Sequence, residues 1–419
     1  MIGSVRGTKD ILPEEIPIWY FVESTLRNVS QLFGFHEIRL PIFEKTEVFQ
    51  RSIGEATDVV NKEMYTFIDR GGESITLRPE LTASVVRSVI ANNLLSESPL
   101  LRLWYYGPLF RYERPQKGRL RQFHQYGAEL IGSEHPEADV EIISLAFEII
   151  KGLGIKEYRL LLNSLGNLQS RQNYKQALLN YFNEQANNLS KDSRERLLRN
   201  PLRILDSKDP NDIEIIRSCP LIYDFLDKES KEHYQTTKEL LTANGIQYIE
   251  NPYLVRGLDY YSHTVFEFQN IHLGAQDSFG GGGRYNELFK QFGYKTNVPG
   301  IGFALGIERI ILILQAQGFE PVNENIKIYI AYNKPEYLPK VIEIARILRT
   351  NGISTIFDLQ KRSLKAQLKE ANKSNVLFTI IVGDDEIANN TLSLKNMLEG
   401  TQSNLPIREA FNFLFKTLQ

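Results

Sequence analysis

The sequence predicts an α+β chain in which helices flank an antiparallel sheet, a helical insertion interrupts that sheet, and a separate α/β module follows. Three observations carry this reading. Between Leu101 and Ile131, extended runs rich in aromatic and β-branched residues surround a loop of Pro, Lys, Gly and Arg, as neighbouring antiparallel strands do. Residues 166–244 are rich in Asn, Gln, Lys, Asp and Leu and show helical periodicity alone. From Ile326 to Gln419, strand-like runs alternate with helical ones, which marks an α/β unit with a mainly parallel sheet.

Taken in order, Ile18, Phe21, Val22, Leu26, Val29 and Phe33 recur at helical spacing and predict an amphipathic helix over 16–33. Gly34 leads into an extended run, Phe35–Leu40, closed by Pro41. Met64–Asp69 and Ser74–Leu77 form a hairpin around Arg70-Gly71-Gly72, and Pro79–Ala91 reads as a helix with proline in its first turn. Leu101–Gly107, Leu109–Glu113 and Gln122–Ile131 are three extended segments. Strand signals resume at His263–Phe268, and Gly300–Gln315 reads as a buried helix. Phe319–Asn325 is a linker. Beyond it, strands are expected at Ile328–Tyr332, Ile353–Phe357 and Val376–Val382, and helices at Tyr337–Arg349 and Lys361–Lys373. The division is therefore 1–325, with its insertion at 166–244, and 326–419.

Composition sets limits on function. At 419 residues, 42% hydrophobic and 24% charged, the chain suits two or three packed domains. No run approaches the roughly 18 apolar residues that span a bilayer, and Asp10, Glu14 and Glu15 interrupt any leader. A single cysteine, Cys219, excludes an internal disulfide and a cysteine-rich zinc site. A cytoplasmic location without membrane association is expected. The net charge of −2 argues against bulk nucleic-acid binding, but residues 327–419 hold 13 Lys+Arg against 9 Asp+Glu. That module stands at +4 and the remainder at −6, which fits either a local nucleic-acid footprint or ordinary surface charge.

Familiar catalytic signatures are missing: no G-x-S-x-G elbow, no H-E-x-x-H and no G-x-x-x-x-G-K-[ST] loop. Gly300–Gly306 superficially resembles a dinucleotide fingerprint, but its last spacing is one residue too long and no strand with an acidic partner frames it. Arginine is the informative residue instead. Residues 111–121 place five basic side chains and one acidic one between two apolar strands. Guanidinium forks match phosphate oxygens and never lose their charge, so the loop suits a polyphosphate or an RNA end, or else is a solvated hairpin. On the next strand, alternation puts Gln125, Gly127 and Glu129 on one face, either a pocket floor or the wet side of a sheet. A second cluster, Leu254-Val255-Arg256-Gly257-Leu258-Asp259-Tyr260-Tyr261, precedes an alternating strand ending at Glu267. Gly280–Gly283 then lead to Arg284-Tyr285, either a flexible turn or a backbone that a ligand approaches closely. Arg309, in Gly306-Ile307-Glu308-Arg309, enters an apolar run where a charge needs an ion-pair partner or a ligand.

Together these segments resemble the three motifs of a class II aminoacyl-tRNA synthetase of the histidine-specific kind. Phe33–Phe49 around Pro41 is similar to the first motif, Gly107-Pro108-Leu109-Phe110-Arg111 through Glu129 to the second, and Gly306–Arg309 to the third. Leu254–Tyr261, Gly281–Tyr285 and the opening Arg6-Gly7-Thr8-Lys9-Asp10 match stretches of histidyl enzymes. The resemblance spans nearly the whole chain and is weakest across 166–244.

It implies a class II synthetase-type sheet and a C-terminal anticodon-binding domain, to which Asp358–Lys369 is also similar. The implied reaction is activation of histidine by ATP, with magnesium, then its transfer to a histidine-specific tRNA by a homodimer. The attacking carboxylate belongs to the substrate, so no protein nucleophile is needed; preorganised positive charge is. By resemblance, Arg111 and Arg256 contact the α-phosphate and Arg309 the γ-phosphate, with Glu113 near adenine. Arg256 takes a place that a metal ion fills in related enzymes, and no metal-binding protein cluster is expected. Glu80, Thr82 and Gln125 would hold the α-amino group, and Glu129 and Tyr261 the imidazole nitrogens, with Tyr260 and Tyr285 close by. Arg114, Gln116 and Arg121 would meet the tRNA acceptor end. One departure stands out: the family has glycine where this chain has Leu81. Three rival readings follow from the same likeness or from its arginines. A regulatory subunit of ATP phosphoribosyltransferase has this core but typically lacks the C-terminal module and loses site residues. A tRNA-sensing domain fused to a kinase would bring a kinase segment, and an unrelated ATP-binding ligase would not explain 256–261.

Overall fold

The computed structural model describes residues 2–53, 59–321 and 326–418. The chain divides into two compact units, Met1–Pro321 and Val322–Gln419. The strands of the first are β1 (His36–Glu37), β2 (Phe43–Lys45), β3 (Tyr65–Ile68), β4 (Ser74–Leu77), β5 (Leu101–Phe110), β6 (Gln122–Ile131), β7 (Tyr158–Ser164), β8 (Ile249–Glu250), β9 (Ser262–Asn270), β10 (Ser278–Arg284) and β11 (Gly300–Gly306). Its helices are α1 (Ile16–Leu32), α2 (Thr46–Ile53), α3 (Thr82–Ala91), α4 (Leu94–Glu97), α5 (Pro136–Gly152), α6 (Leu168–Glu184), α7 (Lys191–Arg199), α8 (Pro210–Ile216), α9 (Lys228–Ala243), α10 (Leu288–Gln291) and α11 (Ile307–Ala316).

An eight-stranded sheet in the order β1-β5-β6-β11-β10-β9-β7-β8 forms the frame. Its central pairings, from β5 through β7, are antiparallel, while short β1 and β8 join the edges in parallel. Alternation assigns the two faces. One buries Tyr126, Ala128, Leu130, Phe266, Phe303 and Leu305 against α1, α5 and α11. The other carries Leu103, Tyr105 and Val265 toward α3 and the 254–261 loop. The amphipathic reading of 16–33 holds: Ile18, Trp19, Val22 and Leu26 of α1 are buried. The 64–77 hairpin forms too, as β3 and β4, with β2 pairing on the far side of β4. Arg78 ties these parts together, donating to the carbonyls of Leu40, Pro41 and Pro108 at 2.7–3.1 Å.

Four expectations need correction. Leu101–Gly107 and Leu109–Glu113 are one strand, β5, ending at Phe110. β1 covers β5 only at Leu103 and Trp104, so no neighbouring strand is left without a donor by the missing N–H of Pro108. The 79–91 helix starts at Thr82, because the Glu80 carboxylate takes the amide protons of Thr82 and Ala83 (2.7 and 2.9 Å) and caps it there. Pro79 stays outside. Gly300–Gln315 is a strand followed by a helix: Gly300–Gly306 is hydrogen-bonded on both sides, to β6 and to β10. A strand buried on both faces has no polar alternation to betray it. Finally, the sheet of the second unit is mixed rather than mainly parallel.

That sheet joins β12 (Ile328–Tyr332), β13 (Thr355–Phe357), β14 (Phe378–Val382), β15 (Thr391–Asn396) and β16 (Gln402–Pro406) in the order β13-β12-β14-β15-β16. Its first three strands run parallel, and β15 and β16 are antiparallel additions that the sequence reading left out. Helices α12 (Leu338–Thr350), α13 (Leu364–Lys373), α14 (Asp384–Asn389) and α15 (Ile407–Leu418) complete the unit. Of the expected 319–325 linker, residues 322–325 lie outside the described residues.

Residues 166–244 form α6, α7, α8 and α9 with short helical turns and loops between them, and no strand. Helices α6, α7 and α8 enclose a small core of their own around Tyr174, Leu178, Phe182 and Leu202. By contrast, α9 contributes Tyr234 and Leu241 to the main core. Among the described residues no helix is long and apolar enough to cross a membrane.

Candidate active site

A cavity of about 520 Å³ opens on the α3 side of the sheet. Arg111, Arg256 and Arg309, which lie far apart in sequence, all line it. Glu80, Thr82, Glu113, Gln125, Glu129, Tyr260, Tyr261 and Tyr285 line it too. Of the predicted set, only Arg114, Gln116 and Arg121 fall outside.

Glu129 is the most enclosed of the carboxylates here, 1% exposed on the face that alternation assigned, against 4% for Glu80. Its Oε1 accepts from Thr82 Oγ1 (2.8 Å) and Tyr105 OH (2.9 Å), and its Oε2 from Tyr285 OH (2.6 Å). A carboxylate offers about four lone-pair sites. Three are taken, which leaves room for one more donor. Burial pushes the Glu129 carboxyl up to about 7, against the opposing pull of Tyr285, Thr82 and Tyr105. Glu80 is likewise raised to about 7 by burial, with the Ala83 and Thr82 amides and Arg111 pulling the other way.

The glycines have a different purpose from the one expected. Residue 127 faces Tyr105 across the β5–β6 pair, and its missing side chain is replaced by the Tyr105 ring, not by open space. Gly302 faces Glu129, and a β-carbon there would overlap the carboxylate. A β-carbon on Gly281 would stand 2.9 Å from Arg256 Nη1. Gly300 leaves room for the Tyr285 ring. Residues 280–283 are part of β10 and not a turn: Gly281 makes room for Arg256 and Gly283 for Tyr261, while Gly280 and Gly281 line the cavity.

The arginines are individually anchored. Arg111 donates from Nε to the Pro79 carbonyl (2.9 Å) and packs 5.4 Å from the centre of the Phe123 ring. Arg256 is paired with Glu267, which lies opposite Gly281 on β9. Burial alone would depress the Arg256 pKa; Glu267, with smaller contributions from Tyr261 and Asp206, outweighs it and the pKa is raised. Arg309 donates from Nε to the Gly118 carbonyl (3.2 Å) and from Nη1 to that of Ser278, clasping the basic loop to β10. Glu113 sits between Arg119 (3.1 Å) and Arg111 (3.9 Å).

The basic loop closes as a tight turn, with Gln116 and Arg119 exchanging backbone hydrogen bonds (3.1 and 2.9 Å). Arg114 and Gln116 are exposed. Arg121 is occupied elsewhere: its guanidinium stacks 4.0 Å from the centre of the Tyr112 ring and donates to the Glu113 carbonyl. Its backbone N–H reaches Gly7 (2.7 Å), so the opening Arg6–Asp10 stretch packs at the loop's base. Leu81 lines the cavity, is 2% exposed and has a negative φ, so its backbone makes no demand for glycine.

Sequence reasoning missed Tyr105 and Glu267. Period-two alternation along β5 groups Tyr105 with Leu103 and Gly107, but only the β5–β6 register sets it across from Gly127 on the cavity face. Glu267 is a lone acid inside an apolar strand, and its sequence context does not show that it pairs with Arg256. Arg196, Asp206 and Lys208 of the insertion also line the cavity, and no local signal marks them.

A family model described as histidyl-tRNA synthetase matches residues 7–310, and one described as an anticodon binding domain matches 321–417. The chain belongs to the histidyl-tRNA synthetase family. A histidine–tRNA ligase of Acaryochloris marina is 48% identical over 400 residues, covering 96% of this chain and 93% of that one. Another, from a Geobacillus species, is 44% identical over 417 residues, covering 99% and 98%. Among solved structures, the ligand-free histidyl-tRNA synthetase of Staphylococcus aureus aligns over 99% of this chain and 100% of that one, with a TM-score of 0.83 and 37% identity. The class II synthetase-type fold with its C-terminal anticodon-binding domain is thus as expected. These relatives match along the whole histidyl-tRNA synthetase layout, C-terminal domain included, and favour the ligase reading over the regulatory subunit.

Proposed function

We infer that this chain activates histidine with ATP to give histidyl-adenylate and pyrophosphate, then transfers histidine to the 3′ end of its tRNA. The observation that carries the reading is the convergence of Arg111, Arg256 and Arg309 on one cavity beside a buried, triply bonded Glu129. In the first step a carboxylate oxygen of histidine forms a bond to the α-phosphorus while the bond to the β-phosphate oxygen breaks. Negative charge builds on the phosphoryl oxygens. Guanidinium groups already fixed by Pro79, Glu267, Gly118 and Ser278 meet that charge without reorganising, which is where electrostatic catalysis gains most.

Roles are assigned on the same footing: Arg111 and Arg256 to the α-phosphate, Arg309 to the γ-phosphate, Glu113 to the adenine side. Glu129 would take an imidazole N–H at its remaining lone pair, Tyr261 would meet the other ring nitrogen, and Tyr260 and Tyr285 would enclose the ring. An analogue without the N–H leaves Glu129 short of a partner, a strong basis for rejection. Glu80, Thr82 and Gln125 are assigned to the α-amino group, with Glu80 also fixing the start of α3. Arg114, Gln116 and Arg121 are assigned to the tRNA acceptor end, Arg114 and Gln116 exposed on the loop and Arg121 also bracing its base. Magnesium is proposed as the companion of ATP. Glu113 and Glu267, the carboxylates nearest the phosphate arginines, are both engaged with arginine, so no protein ligand is assigned to the ion.

Residues 1–325 are proposed as the catalytic part and 326–419 as the anticodon reader. A cytoplasmic homodimer is proposed from the family resemblance. Phe43 and Phe67, exposed on one face of the β2-β4-β3 sheet, supply apolar surface suited to a second copy. The deciding experiment is pyrophosphate–ATP exchange across a panel of amino acids. Exchange should require histidine and magnesium, and no other standard amino acid should replace histidine well. A flat response to histidine would return the chain to the regulatory-subunit reading.

A further inference from the structure

The loop 255–261 forms neither helix nor strand, yet it carries Arg256, Tyr260 and Tyr261 into the cavity. Its backbone is gripped from the helical insertion. Arg171, on α6, donates from Nη1 to the carbonyls of Asp259 (2.6 Å) and Tyr261 (2.9 Å). Arg203, in the short turn after α7, donates to the carbonyl of Gly257. The Asp259 carboxylate completes the junction: it accepts from Asn200 Nδ2 at 3.1 Å and lies 3.5 Å from Arg203 Nη2 and 4.0 Å from Arg171 Nη2. The carbonyls at 257, 259 and 261 are thus all held by two guanidinium groups from one insertion. Both arginines sit mainly inside the protein, with side chains 21% and 20% exposed.

We propose that Arg171 and Arg203 are positioning residues for histidine activation, setting the loop so that Arg256 and Tyr261 meet the phosphate and the imidazole together. The insertion then has a part in the first chemical step, independent of any contact with tRNA. The physical ground is the steep dependence of rate on placement. A displacement of about 1 Å in a group aimed at a reacting centre costs up to about a hundredfold, and fixed forks restrain a loop's carbonyls better than solvent does. The proposal rests on the assignment of Arg256 and Tyr261 to the substrates, and the experiment separates the two claims.

Single-turnover formation of histidyl-adenylate is measured in the full-length protein and in Arg203→Ala, Asp259→Asn, Arg256→Ala and the Arg203→Ala/Arg256→Ala double variant, with thermal melting of each. Arg203→Ala and Asp259→Asn should slow adenylate formation about tenfold or more. In the Arg256→Ala background, Arg203→Ala should add less than about twofold, because a residue acting through Arg256 has nothing left to position. A merely structural role would multiply the two losses, and that result overturns the proposal. So does an Arg203→Ala protein that forms adenylate within about twofold of the parent while Arg256→Ala is slow. If Arg256→Ala itself is normal, the underlying site assignment falls, and the proposal falls with it. Should Arg203→Ala melt early, Asp259→Asn decides alone, since it keeps the side chain's shape, and parental adenylate formation in it overturns the proposal.

Discussion

Glu129 on β6 and Gly302 on β11 are cross-strand partners, and the Glu129 carboxylate occupies the space that a side chain on residue 302 would take. Gly302→Ala should therefore displace the carboxylate from Thr82, Tyr105 and Tyr285. Each hydroxyl left unpaired in a buried site costs about 1–3 kcal/mol. Histidine-dependent exchange should fall by about a hundredfold or more, with a lower melting temperature. A variant that exchanges normally would mean that Glu129 does not need its present position.

Arg256→Ala should lower the adenylation rate at least about a hundredfold, the scale for losing one preorganised charge. It also strands Glu267 inside the cavity wall. Adding Glu267→Gln should recover stability but not rate. A double variant that regains both would place the electrostatic contribution elsewhere.

Stability should depend on pH through Glu129. Its carboxyl is raised from 4.5 to about 7 by burial, so the folded state favours the protonated form. The resulting stabilisation is full below about pH 4.5 and is lost as pH rises through about 7. Glu129→Gln stays neutral and should lose less stability between those limits, by about 1–3 kcal/mol. Glu80, raised for the same reason, keeps some of the slope in the variant. Denaturant melts at pH 5 and pH 8.5 measure it, and parallel declines in the two proteins would contradict the assignment.

Arg284 and Asp139 form a fully buried ion pair at 2.5 Å, with Arg284 also donating to the carbonyls of Ser133 and His135 at 2.7 Å. Arg284→Met removes one partner and leaves Asp139 buried beside His233 alone. Unfolding free energy should drop by about 3–5 kcal/mol, read from chemical denaturation. An unchanged midpoint would show that the pair is dispensable.

Deleting Val322–Gln419 should weaken tRNA charging far more than histidine activation, because every residue lining the cavity belongs to the first unit. Comparing exchange with aminoacylation in the truncated chain tests this. Equal losses would contradict the division of labour.

Much of the site was legible because its signals are local. Alternation along Gln122–Ile131 put Gln125 and Glu129 on one face, Arg309 stood out as a charge entering an apolar run, and the family resemblance picked Arg111 and Arg256 out of their clusters. What escaped depended on register and crossover. Tyr105 matters because β5 sets it against Gly127, and Glu267 matters because β9 brings it under Arg256. Arg171 and Arg203 reach the 257–261 carbonyls from a segment some 55–90 residues away in sequence, which no periodicity encodes. The strand at Gly300–Gly306 reads as helix in sequence for a related reason: only its two neighbours reveal it.

The trimmed strands beneath the cavity also bear on redesign. An active site that must admit a ring-methylated histidine has to find the extra volume somewhere, and beneath Glu129 and Arg256 the chain is already reduced to backbone at Gly302 and Gly281. Beside Glu129, new space would come from shortening Tyr105 or Tyr285, and either change also takes a hydrogen bond from Glu129. There, enlarging the chamber and loosening the carboxylate are the same operation.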